Sequence, residues 1–228
     1  MSKIKKVNIW DLDGTVINSM RRLQPCFKEN GDLDLDKYRR DACTHEAIMT
    51  DTLLPLVEYM RRSVAAGEFN IILTARMLNK SDYYYLRRQG LRGRGENSIQ
   101  VHSRDTLVRH FGAVGRDYYS LSDAEYKGKY FELFQQRYPG AVLTMFDDHD
   151  GVLAKAASMG IRTVDAKILN DVLSVGVTMI GEQFIDENIA DDLDVDYLQE
   201  RLAFAWDTMT EEEKAEHGYR PDVKQLVA

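Results

Sequence analysis

The apolar run Val7-Asn8-Ile9-Trp10 stops abruptly at Asp11-Leu12-Asp13-Gly14-Thr15. A short run with β-branched residues reads as a buried strand. Carboxylates spaced i, i+2 point to the same side of an extended chain. The glycine after them lets the backbone turn sharply and approach a ligand closely. A surface turn is the plain alternative, because Asp-Gly pairs form turns readily. The apolar lead-in favours the other reading: two acids at the carboxyl end of a buried strand, where open α/β sheets place their ligands. Such a pair suits Mg²⁺ and a phosphate, since magnesium takes one or two carboxylates together with water and substrate oxygens.

Two later apolar runs end at polar residues in the same manner. Phe69-Asn70-Ile71-Ile72-Leu73 leads into Thr74-Ala75-Arg76, and Ala141-Val142-Leu143-Thr144-Met145-Phe146 leads into Asp147-Asp148. Between them lies Glu125-Tyr126-Lys127-Gly128-Lys129. Taken in order, these four stations resemble the motifs of the haloacid-dehalogenase superfamily of phosphatases, over roughly residues 5–166. Within it, Leu73-Thr74-Ala75-Arg76 and Phe146-Asp147-Asp148 look most like the polynucleotide 3′-phosphatase branch. The chain departs from that branch at His149, where an Arg is usual. Matching Glu125-Tyr126-Lys127 to the branch's Glu-Phe-Lys favours Lys127 over Lys129 as the conserved lysine.

The resemblance implies a division of labour. Asp11 is the nucleophile, Asp13 the general acid and base, Thr74 a phosphate ligand and Lys127 a neutralising cation. Mg²⁺ is implied on Asp11, Asp148 and Asp147, with the main-chain carbonyl of Asp13. Gly14, Thr15, Ala75 and Arg76 are implied to bind substrate. Each has a plainer role. Thr74 can cap the following helix, Lys127 can be an ordinary solvated lysine, and Asp147, Asp148 and Asp150 can form an acidic helix start. His149 reads as a turn or capping residue.

Apolar segments alternating between strand and helix character predict a parallel sheet with right-handed crossovers. The fold expected is α/β, a Rossmann-like three-layer sandwich with a central parallel sheet. The catalytic domain spans 1–168 and holds a small cap insertion at 19–45; an acidic, mainly helical extension spans 169–228. One helix is expected over 47–66, others at 80–89, 124–137 and 152–160. Segment 99–120 holds one or two strands and a short helix at 104–111. Arg87, Arg88, Arg92 and Arg94, broken by glycines, form a basic loop in which Arg87 and Arg88 are candidate phosphate contacts; balancing the acidic tail is the plain alternative. Tyr83-Tyr84-Tyr85 reads as packing, since three consecutive positions cannot share one helix face.

The chain of 228 residues has a formal net charge of −7. Residues 181–228 hold fourteen acidic and four basic residues, so the remainder is mildly basic. That suits an anionic substrate. Cys26 and Cys43 do not make a disulfide framework, and a reduced, cytoplasmic setting is the default. No run is long enough for a membrane span. Leu198, Leu202, Phe204 and Trp206 give the tail apolar anchors, for packing on the body, dimer formation or occlusion of a basic groove. No Gly-x-x-x-x-Gly-Lys loop is present, so no kinase accompanies the phosphatase. The function expected is a Mg²⁺-dependent phosphomonoesterase acting on a nucleotide or a polynucleotide 3′-phosphate end. A nucleotide or small-molecule 5′-phosphatase is the alternative, and a docking protein using the acidic tail is the third reading.

Overall fold

The computed structural model describes residues 4–92 and 99–174. Arg94 and the apolar anchors of the tail lie outside the described residues. The chain divides into two compact units, Met1–Val164 and Asp165–Ala228. Of the second, only its start is described.

Along the chain run β1 (Lys6–Trp10), β2 (Ile17–Asn18), α1 (Met20–Leu23), α2 (Leu35–Lys37), α3 (His45–Ile48), β3 (Thr52–Leu53) and α4 (Leu56–Ala65). Then come β4 (Phe69–Leu73), α5 (Lys80–Arg88), β5 (Gln100–His102), α6 (Leu107–Phe111), α7 (Asp123–Arg137), β6 (Val142–Asp147), α8 (Asp150–Ser158), β7 (Arg162–Asp165) and α9 (Ala166–Ser174). Five strands form one sheet in the order β5-β4-β1-β6-β7. β1 pairs in parallel with both β4 and β6, with Trp10 opposite Ile72 on one side and Phe146 on the other. This is the Rossmann-like parallel α/β architecture. No helix among the described residues is long and apolar enough to cross a membrane.

The period of two along β1 sorts its side chains between the faces. Val7 and Ile9 join the core built by Tyr126, Tyr130, Phe131 and Phe134 of α7 and Val152 and Ala156 of α8. Asn8 and Trp10 point the other way. Trp10 stacks on Phe146 with ring centroids 3.8 Å apart, and its indole N–H donates to Asn70 Oδ1 at 2.8 Å. Asn8 donates to Ser63 and Glu68, both at 2.7 Å. Most buried polar groups on this face are thus answered by hydrogen bonds, while Asn8 Oδ1 and Thr144 Oγ1 have no partner among the described residues.

The single helix expected over 47–66 is two helices separated by β3, which pairs antiparallel with β2. Helical spacing of Ile48, Leu53, Leu56, Val57 and Met60 continues across the break, which is why periodicity alone misreads it. Pro55 disfavours the helical conformation for Leu54, and the Leu54 N–H instead donates to Val16 O at 3.1 Å. Residues 19–45 are short pieces, α1 and α2 with a 3₁₀ turn at Gln24–Cys26 and a wide turn at Tyr38–Ala42. Arg22 anchors this segment: it grips Asp51 with two bonds, 2.7 and 3.0 Å, and donates to Ala42 O at 3.1 Å. Cys26 and Cys43 are both free thiols.

His102 at the end of β5 is buried and lies 3.0 Å from His110. Burial, with His110 and two arginines nearby, pushes it down to about 3. The unfolded chain therefore takes up a proton near pH 6.5 that the folded chain refuses until about pH 3. Its contribution to stability is complete above pH 6.5 and is lost as pH falls through that window. Relative to His102→Phe, the unfolding free energy should fall by up to about 1.4 kcal/mol per pH unit across it, measured by urea titration at a series of pH values.

Candidate active site

β1 and β6 are adjacent and in register, so the residues that follow them emerge side by side. Asp11 N–H donates to Phe146 O at 2.8 Å, extending the ladder one residue past β1. Asp147 closes β6. Two buried carboxylates side by side are costly unless a cation joins them. Lys127 supplies it from the first turns of α7, whose start is fixed by a capping box between Ser122 and Glu125. The Lys127 ammonium hydrogen-bonds Asp11 Oδ1 and sits 2.6 Å from Asp147 Oδ2. Its side chain is 3% exposed. Burial alone would lower the lysine, but Asp11 and then Asp147 hold it above its ordinary value, so it stays charged. Lys129, by contrast, is partly exposed and pairs with Glu132 at 3.3 Å.

A second charged row crosses the cavity wall. Asp13 Oδ2 lies 3.1 Å from Arg76 Nε, and its Oδ1 accepts from Ser19 Oγ at 2.8 Å. Arg76 also donates to Asp82 at 2.8 Å. Arg22 comes within 3.8 Å of Asp13 from the other side. The sign therefore alternates through Asp51, Arg22, Asp13, Arg76 and Asp82. Burial works against the Arg76 charge, but Asp13 and Asp82 outweigh it and hold the guanidinium above its ordinary value.

Thr74 follows β4, its N–H donating to His102 O at 3.0 Å and its hydroxyl oxygen accepting from the Arg76 N–H at 3.1 Å. It does not cap α5; Asn79 does, in a capping box with Asp82. His149 caps α8 by accepting from Gly151 N–H at 3.1 Å. Gly14 has φ +82°, and a Cβ there would meet Asp148 Oδ2 at 2.1 Å. Only glycine leaves that carboxylate its place. Partial desolvation and the neighbouring Asp147 push Asp148 up.

Asp11, Asp147 and Asp148 each offer a carboxylate oxygen, and these lie within 4.8 Å of one another. An all-oxygen set of this kind fits a hard divalent cation and is unlike the N and S sets that hold zinc or copper. Among the described residues Asp11, Asp13, Asp123, Asp147 and Asp148 line the same cavity as Lys127, Arg76, Arg39 and Arg104, so acids exceed cations by one.

The cavity has a volume of about 700 Å³, within the range of roughly 300–1,000 Å³ seen for small-molecule sites. Of the residues singled out in the sequence, Asp11, Asp13, Thr74, Ala75, Arg76, Lys127, Asp147 and Asp148 all line it. Gly14 and Thr15 do not; Thr15 is fully buried and Gly14 acts by making room. Arg87 and Arg88 are also elsewhere. They are exposed in the last turn of α5, and a crossover helix that starts at the carboxyl edge of the sheet ends at the opposite edge.

Four residues were missed. Arg22 and its partner Asp51 have no local mark of burial. Asp82 had one, as the fourth residue of Asn79-Lys80-Ser81-Asp82, a capping-box pattern. Arg104 lines the cavity and ties the Thr74 loop to the start of α7, donating to Ala75 O at 2.5 Å, Leu121 O at 2.9 Å and Asp123 at 2.9 Å.

Comparison with known proteins matches residues 1–228 to the family described as bacteriophage T5 5′-deoxynucleotidase. The chain belongs to that family. The 5′-deoxynucleotidase of Escherichia phage T5 is 58% identical over 221 residues, covering 96% of this chain and 90% of that protein. A solved haloacid dehalogenase-like hydrolase from Streptococcus pneumoniae aligns with 70% of this chain and 83% of its own, at 12% identity and a TM-score of 0.48. The family member described here is thus an enzyme, a phosphoric monoester hydrolase. The comparisons do not bring out the polynucleotide 3′-phosphatase branch; the 58%-identical relative is named for 5′-deoxynucleotides, which matches the alternative reading of the sequence.

Removing the cation should expose its structural role. Lys127→Met leaves Asp11 and Asp147 buried without a cation and should cost about 3–5 kcal/mol in unfolding free energy. Adding Asp11→Leu should return part of that loss, a coupling of about 0.5–3 kcal/mol read from a double-mutant cycle by denaturant titration.

Proposed function

We propose that this chain removes the 5′-phosphate from deoxynucleoside monophosphates with the help of Mg²⁺. The observation that carries the substrate is the 58% identity, over nearly the whole chain, to a protein named 5′-deoxynucleotidase. The grouping of Asp11, Asp13, Thr74, Lys127, Asp147 and Asp148 around one cavity supports the chemistry. The 3′-end reading came from the likeness of Leu73-Thr74-Ala75-Arg76 and Phe146-Asp147-Asp148 to one branch, and the basic residues that would suit a polynucleotide, Arg87 and Arg88, are not at the cavity.

In this reading an Asp11 carboxylate oxygen attacks phosphorus, forming an aspartyl-phosphate as the bond to the nucleoside 5′-oxygen breaks. Asp13, which has to take up a proton from water first because it faces Arg76 as a carboxylate, gives that proton to the departing oxygen and then takes one from the water that hydrolyses the aspartyl-phosphate. Arg76 and Ser19 hold the Asp13 carboxyl at the cavity wall. Lys127 offsets the charge of the phosphoryl group on Asp11. The Thr74 hydroxyl already accepts from the Arg76 N–H and keeps its proton for a phosphate oxygen. Asp11, Asp148 and the Asp13 main-chain carbonyl would hold Mg²⁺, with Asp147 behind them. Bound there, the ion supplies positive charge that polarises a phosphoryl oxygen. Two free thiols fit a reducing compartment such as the cytoplasm.

The test is phosphate release with Mg²⁺ from deoxynucleoside and ribonucleoside 5′-monophosphates, 3′-phosphorylated DNA and RNA ends, and sugar phosphates. Deoxynucleotides should be the best substrates, and Asp11→Asn should lower kcat by roughly 10⁴-fold. A preference for 3′-phosphorylated ends would sink the proposal and restore the other branch. Gly14→Ala crowds Asp148 and should weaken Mg²⁺ dependence by roughly 10–100-fold, seen as a higher half-saturating Mg²⁺ concentration.

A further inference from the structure

The cavity has two unlike ends. Its floor carries the acids, Thr74 and Lys127. Its outer wall is Leu23, Leu33, Leu35, Tyr38 and Cys43 from the segment after β2, together with Met77 from the Thr74 loop. A phosphate group fills only the floor. Leu35 and Met77 are 55% and 59% exposed, so large apolar side chains stand open to water at the mouth of a charged site. Scattered exposed apolar residues need no explanation. Here they line a cavity continuous with the phosphate site, which does call for one.

We propose that this wall is the nucleobase subsite, with Tyr38 as the ring on which the base stacks and Leu35 and Met77 closing over it. The proposal rests on the nucleotide reading above and adds the residues that select for a nucleoside over a bare sugar phosphate. The polar inventory agrees. Among the described residues no Asn or Gln lines the cavity, so these offer no amide to read base edges by paired hydrogen bonds. Tyr38 directs its hydroxyl to Cys43, and burial first, then that contact, pushes it up to about 12. Arg39 lines the cavity with its side chain 70% exposed, 3.5 Å from Asp36, and Arg104 is taken up by main-chain carbonyls and Asp123. Recognition at this end is therefore by contact with the ring face. An apolar wall also limits sugar discrimination: an added 2′-hydroxyl is rejected by at most roughly 10²-fold.

The experiment compares kcat/KM for dAMP and dTMP with kcat/KM for 2-deoxyribose 5-phosphate, which keeps the phosphate and sugar but lacks the base. In Tyr38→Ala the ratio of nucleotide to base-free substrate should fall roughly tenfold, mostly through KM, because base–aromatic stacking is worth about that factor. Tyr38→Phe keeps the ring and should keep the ratio. The double variant Leu35→Ala, Met77→Ala alters two largely exposed side chains, so it tests the wall even where Tyr38→Ala does not fold; its ratio should also fall. A protein active on nucleotides whose ratio is unchanged in Tyr38→Ala and in the double variant overturns the subsite alone. A wild-type protein that turns over neither nucleotide overturns the nucleotide reading as well.

Discussion

The site depends on one buried cation. β1 and β6 pair in parallel and in register, so the sheet delivers Asp11 and Asp147 to neighbouring positions whatever else the chain does. Side by side in the interior, two carboxylates repel each other and have lost most of their water. Lys127 makes the arrangement possible, and the packing of α7 makes Lys127 possible. Tyr126, Tyr130, Phe131 and Phe134 seat that helix against β1 and β6. Gly128 leaves room for the Lys155 chain of α8, whose Cε would lie 2.8 Å from a Cβ there. The same aromatic residues that hold the core together therefore set the position of the charge.

The second row of charges ties the site to the segment above it. Asp13 sits between Arg76, which follows β4, and Arg22, which belongs to the segment 19–45. Arg22 is itself fixed by two bonds to buried Asp51. A displacement of that segment therefore moves a charge facing Asp13, and the apolar wall of the cavity moves with it. Chemistry at the floor and shape at the mouth share one covalent segment.

The sequence was most readable at the carboxyl ends of strands. Asp11, Asp13, Thr74 and Asp147 follow apolar runs directly, and a strand end is marked by where hydrophobicity stops. Lys127 is different: residue by residue it is one lysine among many, and its assignment came from resemblance, with the buried pair of acids as the physical reason seen afterwards. Arg22 and Asp51 were invisible because a buried ion pair between residues 29 apart leaves no local periodicity. The break between α3 and α4 was hidden by apolar spacing that runs on through it, although Pro55 was in plain view. Arg87 and Arg88 looked close to Thr74 in sequence, but a helix of nine residues carries them to the far edge of the sheet. Which phosphate ester the site takes was beyond the motifs, which describe how phosphate is handled and not what it is attached to.

The order of strands also sets when activity can begin during synthesis. β1 lies at the centre of the sheet, yet its neighbour β6 begins only at Val142. Until that stretch has left the ribosome, Asp11 has no Phe146 carbonyl to bond and no Asp147 beside it. Non-local pairing of this sort is closed late. The nascent protein therefore lacks its active site for well over half of its translation, and a chain truncated before β6 holds Asp11 with neither the Phe146 carbonyl nor Asp147 beside it.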